Sequence, residues 1–270
     1  MHSCAGDLRA LLSRRMTPLE SACRVADRAS FPAAAFSADI EHAFQALAQV
    51  LATDLRRGRH IATWGPRGSG KTTLLQAVER ELRDVHHAYS VTTSHLDDIT
   101  QTLAGAYAEV PTQGVKRRTA RSRLWWAADA DPGCLLLDHV TKVPAAMKGW
   151  LRRLRGGVVG VVLAVDVDSP REREWLRGLK IGCASLRIPP VDPRLLTRLL
   201  NQLWVAPELP PLAPSTRRTL VRSARGRPGW VVQCATLATN PRYWKAGQFH
   251  AHVLATDTEM TLRGMAIPGR

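Results

Sequence analysis

The chain has 270 residues, and its 38 lysines and arginines exceed its 23 aspartates and glutamates, which gives a formal net charge of +15. Hydrophobic residues make up 45% of the sequence, enough to form a core, so a disordered basic tail is excluded. Charged residues interrupt every apolar stretch and occur early at the N-terminus, so we expect no membrane span, no signal peptide and a cytoplasmic protein. The excess charge favours a polyanionic partner, above all nucleic acid.

The predicted elements begin with helical spacing of apolar residues over 1–30, which indicates an N-terminal helical extension. A second helical pattern covers about 37–55. After it, short apolar runs alternate with helical patterns, and this alternation predicts a parallel α/β sheet covered on both faces. The predicted strands lie at 60–64, 87–92, 133–138 and 158–165, and the helices between them at 71–83, 97–108 and 142–154.

Strand patterns stop at about residue 192, and four helical patterns follow. They cover residues 193–204, 215–225, 229–238 and 249–263. The sequence therefore predicts an α/β domain over residues 31–191 and a small all-α domain over residues 192–270, which we call the lid.

A glycine-rich loop joins the first predicted strand to the helix that follows it. It reads Gly65-Pro66-Arg67-Gly68-Ser69-Gly70-Lys71-Thr72-Thr73, the GxxxxGK[ST] pattern between a strand and a helix. Such glycines let successive backbone N–H groups point at a phosphate, and the helix N-terminus adds free donors and a positive dipole end. We therefore expect the loop to bind ATP, with Lys71 reaching the β- and γ-phosphates and the Thr72 hydroxyl binding Mg²⁺.

Acidic residues end two of the predicted strands. Asp138 follows a buried strand pattern and is expected to hold Mg²⁺ together with Thr72; the other interpretation of Asp138 is a helix cap. Many ATPases of this arrangement have a glutamate at the next position to activate water, but this chain has His139, so slow hydrolysis or another base is expected. Asp166 ends the fourth strand and is a candidate sensor of the γ-phosphate, or else a solvated turn residue.

The order of these elements resembles that of the AAA+ ATPases over about residues 31–263. Within that family the chain is similar to compact bacterial ATPases of DNA transactions: transposition target-selection ATPases and their secretion-ATPase and origin-recognition relatives. The resemblance implies a P-loop core with a lid, ATP and Mg²⁺ as cofactors, DNA as partner, and a homo-oligomeric ring or filament. Besides the loop, it rests on the stretches 37–55, 88–93, 96–99, 186–191 and Gly226-Arg227-Pro228-Gly229.

The resemblance also implies two arginine positions, one in the lid motif and one after the fourth strand. The lid motif usually reads Gly-x-Pro-Arg, and its sensor arginine falls on Gly229 in this chain, which leaves Arg227 as the substitute at the nucleotide. The inter-subunit arginine finger of the family should follow the fourth strand, where Arg171, Arg173 and Arg177 lie; Arg177 best matches its position. The resemblance thus implies the catalytic set Lys71, Asp138, His139 and Arg177.

Three acid-free stretches, each with five basic residues, concentrate the positive charge at 116–123, 142–155 and 217–227. Clustered lysines and arginines suit repeated contacts with the phosphates of DNA. The alternative for each stretch is a solvated helix face, and for the third also a contact with ATP or a neighbouring subunit. The predicted DNA-binding residues are Lys116, Arg117, Arg118, Arg121, Arg123, Lys142, Lys148, Arg152, Arg153 and Arg155.

The sequence therefore predicts an ATP-dependent DNA-binding protein that oligomerises on DNA, with duplex DNA expected, and recruits or regulates partner proteins of a DNA-transaction complex. The alternative is a weakly hydrolysing or non-hydrolysing nucleotide switch or scaffold similar to the STAND ATPases, which share the Leu-Leu-Leu-Asp and Gly-x-Pro features. A small-molecule kinase is a third interpretation, disfavoured by the helical lid and by the lack of an evident acceptor site.

Overall fold

The structure is a computed structural model that describes residues 38–83, 88–92, 99, 101, 116–130, 133–140, 149, 160–168, 183–204, 211–245 and 248–265. The predicted N-terminal extension and Arg177 lie outside these ranges. Nearly all residues of the predicted helices over 97–108 and 142–154 also lie outside these ranges. They include Lys148, Arg152 and Arg153 of the second helix. Lys142 and Arg155 also lie outside the described residues.

Five parallel strands form the central sheet in the order β2-β3-β4-β1-β5. The strands are β1 (His60–Gly65), β2 (Ala88–Val91), β3 (Cys134–Val140), β4 (Val161–Asp166) and β5 (Cys183–Arg187). The inner strands are nearly continuous apolar runs because the sheet is buried on both faces. This confirms the predicted parallel α/β class.

Helices α1 (Ala38–Arg56) and α2 (Lys71–Leu82) pack together beside the sheet, and α3 (Arg117–Ala130) precedes β3. Helix α1 buries its apolar stripe, including Ile40, Phe44 and Leu51, against the apolar residues of α2. The residues recur at three- and four-residue steps, so one face of α1 enters the core while the other remains polar.

The lid contains α4 (Pro193–Leu203), α5 (Pro214–Ala224), α6 (Pro228–Ala238) and α7 (Ala251–Leu262). Three of these helices begin at a proline, which suits the first helical position because its missing N–H would have no intrahelical partner. The predicted helices agree with these bounds to within two residues. The sequence did not predict the short antiparallel pair β6 (Trp244–Lys245) and β7 (Gln248–Phe249), in which Trp244 faces Phe249 across the ladder.

One hydrophobic core spans the α/β part and the lid, since Leu196 and Trp230 of the lid belong to the same cluster as Leu74 and Val162. Burial raises the pKa of the Cys134 thiol to about 11 and that of Cys234 to about 12, so both cysteines are protonated core residues at neutral pH. Among the described residues, no helix combines the length and apolar character that crossing a bilayer requires.

Candidate functional site

The glycine-rich loop lies at the carboxyl end of β1, where it turns directly into α2. Gly68 and Gly70 have φ values of 78° and 95°, in the left-handed region that favours glycine. A Cβ at Gly70 would collide with the ring of Phe44 in α1, so the close packing of α1 also requires glycine there. No side chain caps the N-terminus of α2, so its first amides remain oriented for an anion.

The ammonium group of Lys71 is held inside this loop, and the residue is only 6% exposed. Its Nζ donates hydrogen bonds to the carbonyl oxygens of Gly65 at 3.0 Å and Pro66 at 2.9 Å. It also forms an ion pair of 2.7 Å with Oδ1 of Asp166. The loop therefore fixes a buried cation beside the free amides of α2, an arrangement suited to phosphate.

Thr72 and Asp138 meet at the start of α2. The Thr72 hydroxyl donates a 2.6 Å hydrogen bond to Oδ2 of Asp138, whose side chain is nearly buried at the end region of β3. These are the two predicted magnesium ligands, and oxygen donors of this kind suit Mg²⁺. No cluster of three or more His, Cys, Asp or Glu side chains that could hold a metal ion occurs in the described part of the chain. The pair thus fits a metal that also takes oxygens from a bound phosphate.

His139 sits next to Asp138 in an unusual backbone conformation. Its φ is 52°, and the register between β3 and β4 shifts between Leu137 and Val140. Its amide donates to Oδ1 of Asp138 at 2.8 Å, while its side chain is 59% exposed and lines a pocket between the loop and the lid. The bulge thus turns the imidazole from the sheet toward the pocket.

Asp166 lies directly beside the loop because β4 pairs with β1 in a register that aligns Asp166 with Gly65. Its carboxylate contacts Lys71 and also lies 3.5 Å from Nε of Arg67. Asp168 accepts a 3.1 Å hydrogen bond from the backbone N–H of Arg67. A pair of carboxylates therefore faces the cations of the loop, and the role of Asp166 as a sensor of the γ-phosphate stays a prediction.

The lid contacts the loop at two places. The amide of Gly229 in α6 donates a 2.9 Å hydrogen bond to the carbonyl of Gly68, and a Cβ at Gly229 would lie only 2.9 Å from the Gly68 Cα. At the second place, Nη1 of Arg67 donates to the carbonyl of Leu262 at the end of α7, at 3.0 Å. The close approach of the two backbones explains a glycine at the position where the family motif has arginine.

Arg227, the predicted substitute for that arginine, is directed into the lid. Its Nη2 lies 2.7 Å from Oε2 of Glu259 in α7, and its Nε donates to the carbonyl of Ala224. The Arg227 guanidinium, through its hydrogen bonds, lowers the pKa of Glu259. Arg227 does not line the pocket between the loop and the lid, and its contact with a nucleotide stays a prediction.

A pocket of about 320 Å³ opens between the loop and the lid. It brings together most of the predicted loop residues with His139 and Asp166, and it adds Gly229 and Leu262 from the lid. Three other loop residues accept hydrogen bonds from the Lys71 ammonium group. Gly65 and Pro66 accept through their backbone carbonyls, and Ser69 accepts through its hydroxyl. The lining residues are Arg67, Gly68, Gly70, Lys71, Thr72, Thr73, His139, Asp166, Gly229 and Leu262.

Of the predicted DNA-binding residues, the structure describes the side chains of Lys116, Arg118 and Arg123, all exposed at or in α3. Arg117 and Arg121 belong to the same helix. The third basic stretch is described fully: it forms α5 and the turn after it, where Arg218, Arg222 and Arg225 are exposed.

The structure is similar to three solved structures of low sequence identity. The first is the ORC1 protein of Aeropyrum pernix in complex with DNA, with a TM-score of 0.55 and 18% identity, covering 81% of this chain and 65% of that chain. The second is the ORC2 protein of the same organism in its ADPNP–ADP complexes, with a TM-score of 0.54 and 17% identity, covering 90% of this chain and 72% of that chain. The third is Cdc6p of Pyrobaculum aerophilum, with a TM-score of 0.51 and 16% identity, covering 74% of this chain and 60% of that chain. This chain thus spans 60% to 72% of the length of these proteins. No family model and no curated protein matches the sequence.

These likenesses, together with the sheet order, define the class of the fold. The chain shares the α/β fold of these solved structures, with a five-stranded parallel sheet and flanking helices, as the sequence predicts. The more specific resemblance to transposition target-selection ATPases stays a prediction.

Sequence reasoning missed two contributors to the site. Asp168 carries a weak signal, since it is an acidic residue just past a buried strand. Leu262 contributes through its backbone carbonyl, and a backbone group has no signature in the sequence.

Proposed function

We propose that the protein binds Mg²⁺-ATP at the glycine-rich loop and uses the nucleotide to control its association with DNA. The observation that carries this proposal is the group at the start of α2: buried Lys71, uncapped helix amides, and the Thr72–Asp138 pair. The ORC2 protein of Aeropyrum pernix, whose structure is of ADPNP–ADP complexes, adds support from a protein of the same fold.

In this proposal each residue of the loop has a definite task. The amides after Gly68 and Gly70 surround the phosphates, and Lys71 neutralises their charge. Thr72 and Asp138 hold Mg²⁺, which when bound supplies further neutralisation of the phosphate oxygens.

DNA is the proposed partner because the structure describes a group of exposed arginines in and directly after α5. In the described part of the chain, Arg218, Arg222 and Arg225 are exposed and have no carboxylate within ion-pair distance; the first two lie in α5 and the third directly after it. Positions 218 and 222 are four residues apart and so share a face of α5, and Arg225 follows in the left-handed conformation at the C-cap of the helix. Arginine is suited to phosphate, and the ORC1 structure with DNA supplies a precedent in the same fold.

The more specific part of the proposal is a role similar to that of transposition regulators. ATP bound between subunits, with Arg177 as the finger, would build a homo-oligomer on duplex DNA that recruits partner proteins. Its support is the resemblance of the motifs and the basic stretches at 116–123 and 142–155.

Duplex-DNA affinity, measured with and without Mg²⁺-ATP at two salt concentrations, tests the proposal. We expect tighter binding with ATP, a strong loss of affinity at the higher salt, and no ATP effect in the Lys71→Ala variant. DNA binding that is absent in both states, or indifferent to salt, would contradict the DNA part. Binding that is salt-sensitive but indifferent to ATP would contradict the control by nucleotide.

His139 favours a second candidate, a nucleotide switch that hydrolyses ATP slowly. The pocket presents an imidazole at the position where a glutamate would activate water. Turnover of wild type and His139→Glu distinguishes the two functions: slow wild-type hydrolysis that rises in the variant supports the switch. Brisk wild-type hydrolysis that the variant does not exceed supports the ATPase.

A further inference from the structure

Arg67 is the residue through which the loop contacts both the β4 carboxylates and the lid. Its Nε lies 3.5 Å from Oδ2 of Asp166 and 3.8 Å from Oδ2 of Asp168. Its Nη1 donates to the carbonyl of Leu262 at 3.0 Å. Because a guanidinium is rigid and planar, the direction of one edge fixes the direction of the other.

The carbonyl of Leu262 is available because of how α7 ends. The last carbonyls of a helix lack partners within the helix. In α7 the amides of Gly264 and Met265 return to the carbonyls of Thr261 and Met260, with Gly264 in the left-handed conformation. This leaves Leu262 to accept from Arg67, at the negative end of the helix dipole.

The Asp166 carboxylate shows where an anion lies when it contacts both cations of the loop. It pairs with Lys71 at 2.7 Å and with Arg67 on its other oxygen. A terminal phosphate that reached Lys71 on the same side would therefore also come within reach of Arg67 and would displace the carboxylate.

The AAA+ lid motif uses an arginine to contact the nucleotide, and this chain has no arginine at that position. Gly229 occupies its position and has no room for a side chain against Gly68, while Arg227 is bound to Glu259. Among the described pocket residues, Arg67 and Lys71 are the only lysine or arginine side chains.

We propose that Arg67 is the specificity-determining residue that distinguishes a bound triphosphate from a diphosphate and transmits the difference to α7. In the AAA+ motif an arginine of the lid reaches the nucleotide, whereas in this chain an arginine of the loop reaches the lid. This inference rests on the proposed binding of nucleotide at the loop.

The test compares wild type, Arg67→Gln and Arg263→Gln in the binding of ADPNP and ADP. Arg263 is the matched control because it lies at the same end of α7 but pairs with Glu259 outside the pocket. Loss of a charged hydrogen bond corresponds to about tenfold weaker binding or more. We expect Arg67→Gln to lose that factor for ADPNP and less than about twofold for ADP, with both affinities unchanged in Arg263→Gln.

Hydrogen exchange of the segment 259–265 provides the second readout. We expect ADPNP to protect this segment more than ADP does in wild type and in Arg263→Gln, but equally with ADP in Arg67→Gln. An exchange difference that persists in Arg67→Gln, or an equal loss of both affinities, would overturn the inference and leave nucleotide binding intact. A wild-type protein that binds neither nucleotide would overturn the proposed function, and the inference with it.

Discussion

Thr72 and Asp138 come from two different elements, and the 2.6 Å hydrogen bond between the Thr72 hydroxyl and Oδ2 of Asp138 joins them. Thr72 belongs to the first turn of α2, and Asp138 to β3, which is separated from β1 by β4. In such sheets ligands bind outside the carboxyl ends of the strands, where the strand order changes direction. The two oxygens therefore lie where a metal next to a phosphate would be held.

Replacement of Thr72 by alanine removes one of these oxygens. We expect the enhancement of ATP affinity by Mg²⁺ to fall by about tenfold, because one proposed metal ligand and the donor to Asp138 are lost together. Titration calorimetry with and without Mg²⁺ measures this. Thr72→Ser keeps the hydroxyl and is expected to keep the enhancement; equal behaviour of the two variants would argue against a metal at this position.

Alanine at Gly229 tests the close approach of the lid to the loop. Its Cβ would lie 2.9 Å from the Gly68 Cα, so the backbones must separate, and overpacking of this kind costs about 1–3 kcal/mol. We expect a lower melting temperature and weaker nucleotide binding. Gly149 is the control, because a Cβ there meets nothing within 4 Å. Equal melting temperatures for the two alanine variants would show that the lid does not approach the loop so closely.

The Arg227–Glu259 pair predicts a dependence of stability on pH. Since the pKa of Glu259 is lowered in the folded state, its contribution is present above the ordinary value of 4.5 and is lost as the pH falls through the lower folded value. We expect wild type to be more stable than Glu259→Gln at pH 7 and the difference to shrink at pH 3. Urea unfolding at the two pH values measures this, and a constant difference would rule the linkage out.

The exposed arginines of α5 are expected to contribute to DNA affinity through counterion release. Replacement of Arg218 and Arg222 by glutamine should reduce the slope of log affinity against log salt by about 0.9 for each DNA phosphate that the variant no longer neutralises. Arg59→Gln is the control, because Arg59 is paired with Asp54. An unchanged slope in the double variant would place the DNA elsewhere.

Much of the core was predictable because its physical causes are local. Strands buried on both faces are continuous apolar runs, and the GxxxxGK[ST] loop carries its chemistry in adjacent residues. The hairpin of β6 and β7 was missed because its ladder holds only four residues, too few for a period-two pattern to appear.

The contacts between loop and lid were not predictable from the sequence. They depend on the Leu262 carbonyl and the Gly229 amide, and every residue carries such groups. The engagement of Arg227 by Glu259 depends on how α6 and α7 pack together, since Arg227 is the N-cap residue of α6, Glu259 lies in α7, and a local pattern does not relate them. The alignment of Asp166 with Gly65 likewise follows from the sheet register.

Binding of ATP to wild type and to Lys71→Ala in the presence of Mg²⁺ tests the central claim most directly. Lys71 is buried in the loop and would neutralise the phosphates, so titration calorimetry should show saturable binding by wild type and at least about a hundredfold loss in the variant. Arg263→Gln should bind as wild type does. Absence of binding by wild type, or equal binding by Lys71→Ala, would contradict a nucleotide site at this loop.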